Sequence, residues 1–194
     1  MERKLIYIGD DRLRQVSSSV TDEERSGLLI LAEEMKELMR KHQGLGLAAV
    51  QAGVLKKMFL INLNACVGSN LNGKEIEESE KENIVAFLNP VIQKGLQTVK
   101  KMEGCRSIPL IRAEIKRSTI TKISFETFAG EKKEWTTKGL LSAAVQHEYD
   151  HTEGILYPDR LKEIEQKRFW REFKKRIREK QKEKADLDVS INKE

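Results

Sequence analysis

A chain of 194 residues, 39% hydrophobic and 35% charged, is long enough for one domain with a buried core. No apolar run approaches the roughly 18 residues that span a bilayer, and the four apolar residues before Gly9 are too few for a signal-peptide core. Two cysteines, Cys66 and Cys105, exclude a disulfide framework and favour a reducing, cytoplasmic setting. The charge is uneven. Residues 160–184 hold twelve Lys or Arg against five Glu, a net +7, so the rest of a chain of net +5 carries −2. Any polyanionic partner therefore belongs to the C-terminal segment.

Thr21-Asp22-Glu23-Glu24 reads as a capping box with Thr21 as N-cap, opening a helix to about Lys41 whose apolar face is Leu28, Leu31, Ala32, Met35, Leu38 and Met39. Gly44 to Gln51 (GLGLAAVQ) reads as a tight turn. Lys57–Leu63 and Ile84–Leu88 read as strands, the second ended by Asn89-Pro90, with an exposed polar loop over Asn64–Asn83 between them. Thr119–Phe128 alternates as a half-buried antiparallel strand, followed by a short strand ending near Trp135. Gly139 to about His151 is a helix. A last helix starts near Leu161, keeps apolar contacts through Trp170, Phe173 and Ile177, and is almost wholly charged beyond. The strands lie too close for βαβ crossovers, so an α+β domain on antiparallel sheet fits best.

His147-Glu148-Tyr149-Asp150-His151 is an H-E-x-x-H pattern. On a helix, residues four apart share a face, so both imidazoles can converge on one ion, with Glu148 placed to take a proton from a water on it. The ion lowers that water's pKa towards about 7. A catalytic metal usually has three protein ligands. His42, Glu153, Asp159, Glu163 and Cys105 are candidates for the third. Cys105 is the strongest, lying between Gly104, which permits close backbone approach, and Pro109, which fixes the exit. Read alone, it fits a small buried hydrophobe better than a ligand. Gly44-x-Gly46-x-x-Ala49 matches a dinucleotide fingerprint only formally, because a helix rather than a strand precedes it. The glycines instead let backbone amides and the Gln51 amide approach a substrate.

GLGLAAVQ (44–51), EGCRS (103–107) and QHEYDH (146–151) together resemble, in order and spacing, the three signature motifs of peptide deformylases. GDDRLRQVSSSV, FLNPVI and GILYPDRL support the resemblance, which covers about residues 1–165. It implies antiparallel sheets packed around a central metal-binding helix, with an N-terminal helix; beyond it, residues 166–194 read from their charge as a basic C-terminal helix and disordered tail, an extension of the same domain. It implies a metal on Cys105, His147 and His151, typically Fe(II), with Zn(II) or Ni(II) able to substitute. Glu148 would be general base and acid, and Gln51 with the backbone N–H of Arg106 would form the oxyanion hole. Backbone around Leu45, Gly46 and Gly104 would pair with the substrate as an added strand. The reaction implied is hydrolysis of the N-formyl group of formyl-methionyl nascent chains by metal-bound hydroxide.

The chain departs from the family pattern in places. Arg106 stands where leucine is usual, placing a cation at the rim. Ala143 and Ala144 replace larger aliphatics, which suggests a roomier methionine pocket lined by Leu140, Ala143, Ala144 and the stem of Arg112. Glu103 and Asp150 both remain open as partners orienting the ligand histidines. A general H-E-x-x-H peptidase would need a downstream third ligand and no Cys105. A diverted, non-catalytic binding protein would release no formate. The basic helix reads either as a solvated helix end or as a ribosome-docking element; neither membrane nor DNA is an expected partner.

Overall fold

A computed structural model of the chain describes residues 3–79 and 83–191, the side chains of 183–191 excepted. Helix α1 (Arg25–His42) starts later than the sequence predicts. The Glu24 carboxylate accepts the Thr21 N–H at 3.0 Å, so half of the expected box forms, but as a turn ahead of the helix. Its apolar face is the predicted one, all six residues buried, and Gln43 ends it in the left-handed conformation.

The GLGLAAVQ segment is not a turn. It is strand β1 (Gly46–Ala48) running into a 3-10 turn at Ala49–Ala52. β1 pairs with β2 (Met58–Asn62), which pairs with β5 (Ile84–Lys94). β5 does not stop at Asn89-Pro90. The two residues lie in a bulge between Leu88 and Val91, where proline's missing N–H costs no ladder bond. Asn89 adopts φ 47° and its side chain pairs with both backbone groups of Val20 at 2.7 and 2.9 Å.

The predicted loop over Asn64–Asn83 holds a 3-10 turn with buried Cys66 and a two-residue hairpin, β3 (Asn70–Leu71) and β4 (Lys74–Glu75); residues 80–82 lie outside the described residues. β8 (Ile120–Glu126) alternates as predicted, and β9 (Lys132–Lys138) runs past Trp135. The large sheet has the order β1-β2-β5-β8-β9-β3-β4. A two-stranded ribbon, β6 (Thr98–Cys105) with β7 (Ile108–Ser118), is absent from the sequence reading. Its alternation is broken by a register shift between Glu103 and Cys105 and by two charged residues, Glu103 and Arg117, that face inward and are buried.

Phe59, Phe87, Phe125 and Trp135 pack with centroids 4.5–5.4 Å apart on one face of the sheet. Such pairs add about 0.5–1.5 kcal/mol each beyond area burial. Helix α2 (Leu140–Thr152) packs against β1, β2, β5, β7, β8 and β9, and is buried on nearly every face. Its polar residues are accommodated because they are partnered. Gln146, for example, accepts the Ser118 N–H at 3.0 Å and donates to the Ser118 carbonyl at 2.9 Å. Helix α3 (Glu163–Ile191) docks through buried Phe169 and half-buried Trp170 and Phe173, then runs on charged, as predicted. A disordered tail beyond it falls on 192–194, outside the described residues.

Candidate metal centre

The sequence folds locally so that two elements meet at one point. The four-residue spacing of α2 puts His147 and His151 on one face, ring centroids 5.0 Å apart. Cys105, the last residue of β6, comes from the tight end of the ribbon. The ligand atoms of Cys105, His147 and His151 lie within 4.8 Å of one another, and among the described residues no other three His, Cys, Asp or Glu groups are so placed. Cys105 Sγ stands 3.3 Å from His151 Nε2. Burial alone would push this thiol up, but the charge of His151 and hydrogen bonds from both histidines outweigh it, and the thiol is held well below its usual range. One thiolate and two imidazoles suit a soft or borderline divalent ion and not magnesium or calcium.

Of the two acids open as partners for the histidines, Glu103 takes the role. Its Oε2 meets His147 Nδ1 at 3.0 Å, leaving Nε2 for the ion. The Asp150 carboxylate makes no hydrogen bond to either histidine. It receives Arg117 at 2.5 Å and Arg160 at 2.5 and 3.0 Å, and the same Arg117 grips Glu103 at 2.7 and 2.9 Å. The chain Asp150–Arg117–Glu103–His147 thus fixes one imidazole from behind. Arg117 is 2% exposed. Nothing in the sequence singled it out, since a lysine or arginine in a basic strand looks solvated until its partners are known.

Glu148 is 4% exposed, and its Oε2 has no hydrogen-bond partner among the described residues. Burial pushes its carboxyl up to about 7. The backbone of β1 lies directly against it: a Cβ at Gly46 would stand 2.5 Å from Glu148 Oε1, so any side chain there displaces the carboxylate. Gln51 is fixed by its side-chain Oε1, which accepts the Ala48 N–H at 2.9 Å, and its Nε2 reaches Cys105 Sγ at 3.2 Å and Ser107 Oγ at 3.1 Å. Ser107 is a second residue the sequence did not single out.

Every predicted site residue except His151, which is buried behind, lines one open cavity of about 920 Å³: Leu45, Gly46, Gln51, Gly104, Cys105, Arg106, Arg112, Leu140, Ala143, Ala144, His147 and Glu148. The other ligand candidates are elsewhere engaged. Glu153 pairs with Lys57 at 2.8 Å, Asp159 with Arg14, and Glu163 with Lys167 at 2.5 Å; His42 lines the cavity outside the cluster.

A family model described as polypeptide deformylase matches residues 2–167. The chain belongs to the peptide deformylase family. It is 35% identical over 178 residues to the peptide deformylase of Brachyspira hyodysenteriae, covering 90% of this chain and 88% of that one. Among solved structures, a Legionella pneumophila peptide deformylase superposes with TM-score 0.76 at 28% identity, covering 93% of this chain and 98% of that one. An Acinetobacter baumannii peptide deformylase with Met-Ala-Ser bound superposes with TM-score 0.71 at 29% identity, covering 83% and 99%. Deformylases are metal-dependent hydrolases that remove the N-formyl group from nascent peptides, and a Cys/His/His site is present here. Among the described residues no helix is long and apolar enough to cross a membrane.

Proposed function

We propose that this chain deformylates N-formyl-methionyl peptides in the cytoplasm with Cys105, His147 and His151 as metal ligands, Glu148 as general base and acid, and Gln51 with the Arg106 backbone N–H as oxyanion donors. One observation carries the reading: the three ligand atoms converge within 4.8 Å at the wall of a cavity that also holds the buried, unpartnered carboxylate of Glu148. Fe(II) is the proposed metal, with Zn(II) or Ni(II) as substitutes, and when bound it would make hydroxide available from water near neutral pH.

The protein's own groups do the rest. A carboxyl pushed up to about 7 can both take a proton and return it to the leaving amine within one turnover. Gln51, whose side-chain carbonyl is tied to Ala48, holds its amide nitrogen beside Cys105, and the N–H now on Cys105 Sγ would turn to the charge developing on the formyl oxygen. Strand β1 and the end of β6 offer backbone at Leu45, Gly46 and Gly104 to an extended peptide. Leu140, Ala143, Ala144 and the stem of Arg112 provide apolar surface for methionine. The relative with Met-Ala-Ser bound supports a peptide of that kind in this cavity.

Metal analysis tests the ligand set. Cys105→Ala is expected to lose most bound metal and formate release together, and unchanged metal content would return the site to a two-histidine peptidase reading. A non-catalytic binding protein is disfavoured by the unpartnered Glu148 carboxylate, which a pure binding site has no use for.

The exposed cations of α3, among them Arg171, Lys174, Lys175 and Arg178, suit docking on ribosomal RNA. Ribosome co-sedimentation that falls steeply with salt and is lost on removing residues 178–194 is the expected result; sedimentation unchanged by the truncation would exclude that segment.

A further inference from the structure

The cavity is apolar where Leu140, Ala143 and Ala144 line it, and cationic at its mouth. Lys101, Arg106, Arg112 and Arg176 all line it, and among the described residues its only carboxylates are Glu103 and Glu148. Neither acid offsets the rim. Glu103 is 8% exposed and taken up by Arg117 and His147, and Glu148 lies buried against Gly46. Arg106 donates to the Gln43 carbonyl at 2.9 Å, and no carboxylate of the described residues pairs with Lys101, Arg106 or Arg112. Arg176 is partly balanced by Glu172 at 2.9 Å.

Arg176 belongs to α3, yet it reaches the active cavity. Its Nη1 donates to the Leu110 carbonyl at 2.8 Å, and Leu110 holds φ 72°, a conformation that branched L residues rarely adopt. The basic helix therefore contributes one charge to the mouth and is tied to its edge. A cleft lined by charge of one sign concentrates the opposite sign within it. An extended peptide whose methionine sits at the metal cluster runs about 7–14 Å further over its third to fifth residues, which are therefore the ones able to meet the rim cations.

We infer that the rim of Lys101, Arg106, Arg112 and Arg176 selects formyl-methionyl peptides bearing aspartate or glutamate within the few residues after methionine. This rests on the deformylase reading of the same site. The recognised chemistry is a carboxylate, which a short peptide could also supply from its free C-terminus, so the comparison uses C-terminal amides.

The metal-loaded enzyme is assayed on formyl-Met-Ala-Asp-Asp, formyl-Met-Ala-Ser-Ser and formyl-Met-Ala-Lys-Lys, each as the amide. The expected order of kcat/KM is Asp, Ser, Lys, with about fivefold to twentyfold between the extremes, carried mainly by KM. The spread should collapse at about 1 M salt, where the screening length falls to about 3 Å. Lys101→Gln should narrow it and Lys101→Gln with Arg176→Gln should narrow it further, with far-UV circular dichroism as the reference for intact folding in each variant.

Calorimetric titration with the deformylated Met-Ala-Asp-Asp and Met-Ala-Lys-Lys amides reads the same preference without turnover. Absence of formate from every peptide would count against the deformylase reading alone, because the titration still decides the charge preference. Asp and Lys peptides within about twofold of each other, or a preference indifferent to salt and to both variants, would overturn the inference. So would an advantage of formyl-Met-Ala-Ser free acid over its amide with no gain from aspartate, which assigns the rim to terminal carboxylates.

Discussion

Replacing Glu148 with alanine is expected to lower formate release from formyl-Met-Ala-Ser by about 10²–10⁴-fold, the range that one positioned acid–base group supplies. Bound metal should stay at the wild-type level, since Glu148 is not among the three converging ligands. Folding should be undisturbed or slightly favoured: the carboxylate is buried with one oxygen unpartnered, a state that costs stability, and alanine relieves it. The combination of lost turnover, retained metal and retained stability distinguishes a proton-transfer group from a structural one. Retained turnover would remove Glu148 from the mechanism.

Replacing Arg117 with methionine is expected to have the largest effect on stability. Arg117 is the shared partner of two buried acids, gripping Glu103 through two bonds and Asp150 through a third. Methionine fills a similar volume but leaves Glu103 without its guanidinium and Asp150 with Arg160 alone. Breaking a buried pair from one side costs about 3–5 kcal/mol, which at this chain length lowers Tm by roughly 6–20 °C. The loss should also reach the metal, because an unanchored Glu103 no longer fixes His147. Thermal unfolding with metal titration checks both parts. A variant with wild-type Tm and metal affinity would show that the buried network does not hold the site.

The candidate site was more legible in the sequence than the sheet around it, for physical reasons. His147, Glu148 and His151 are local: helical spacing alone converges them. Cys105 is remote, and its own surroundings favoured a small buried hydrophobe; only EGCRS in register with GLGLAAVQ and QHEYDH gave it a role. Helix α1 and strand β8 were readable because one face of each repeats at its own period, whereas α2, buried on nearly every face, was readable from its apolar early turns and the spacing of its histidines. The β6–β7 ribbon was not, since β6 is exposed along most of its length and the buried positions include the charged Glu103 and Arg117, so the apolar alternation that announces a strand is missing. These are also the residues that orient His147, so one substitution pattern hid both the ribbon and the network. Asn89-Pro90 misled in the opposite sense: a bulge absorbs the proline that normally ends a strand. Arg176 could not be found from sequence, because its arrival at the cavity depends on how α3 lies on β7.

The most direct test of the central claim is product analysis with formyl-Met-Ala-Ser and iron-loaded enzyme under argon. Formate and free Met-Ala-Ser in equal amounts, with every peptide bond intact, is the expected result. No formate, or cleavage at an internal peptide bond, would contradict it.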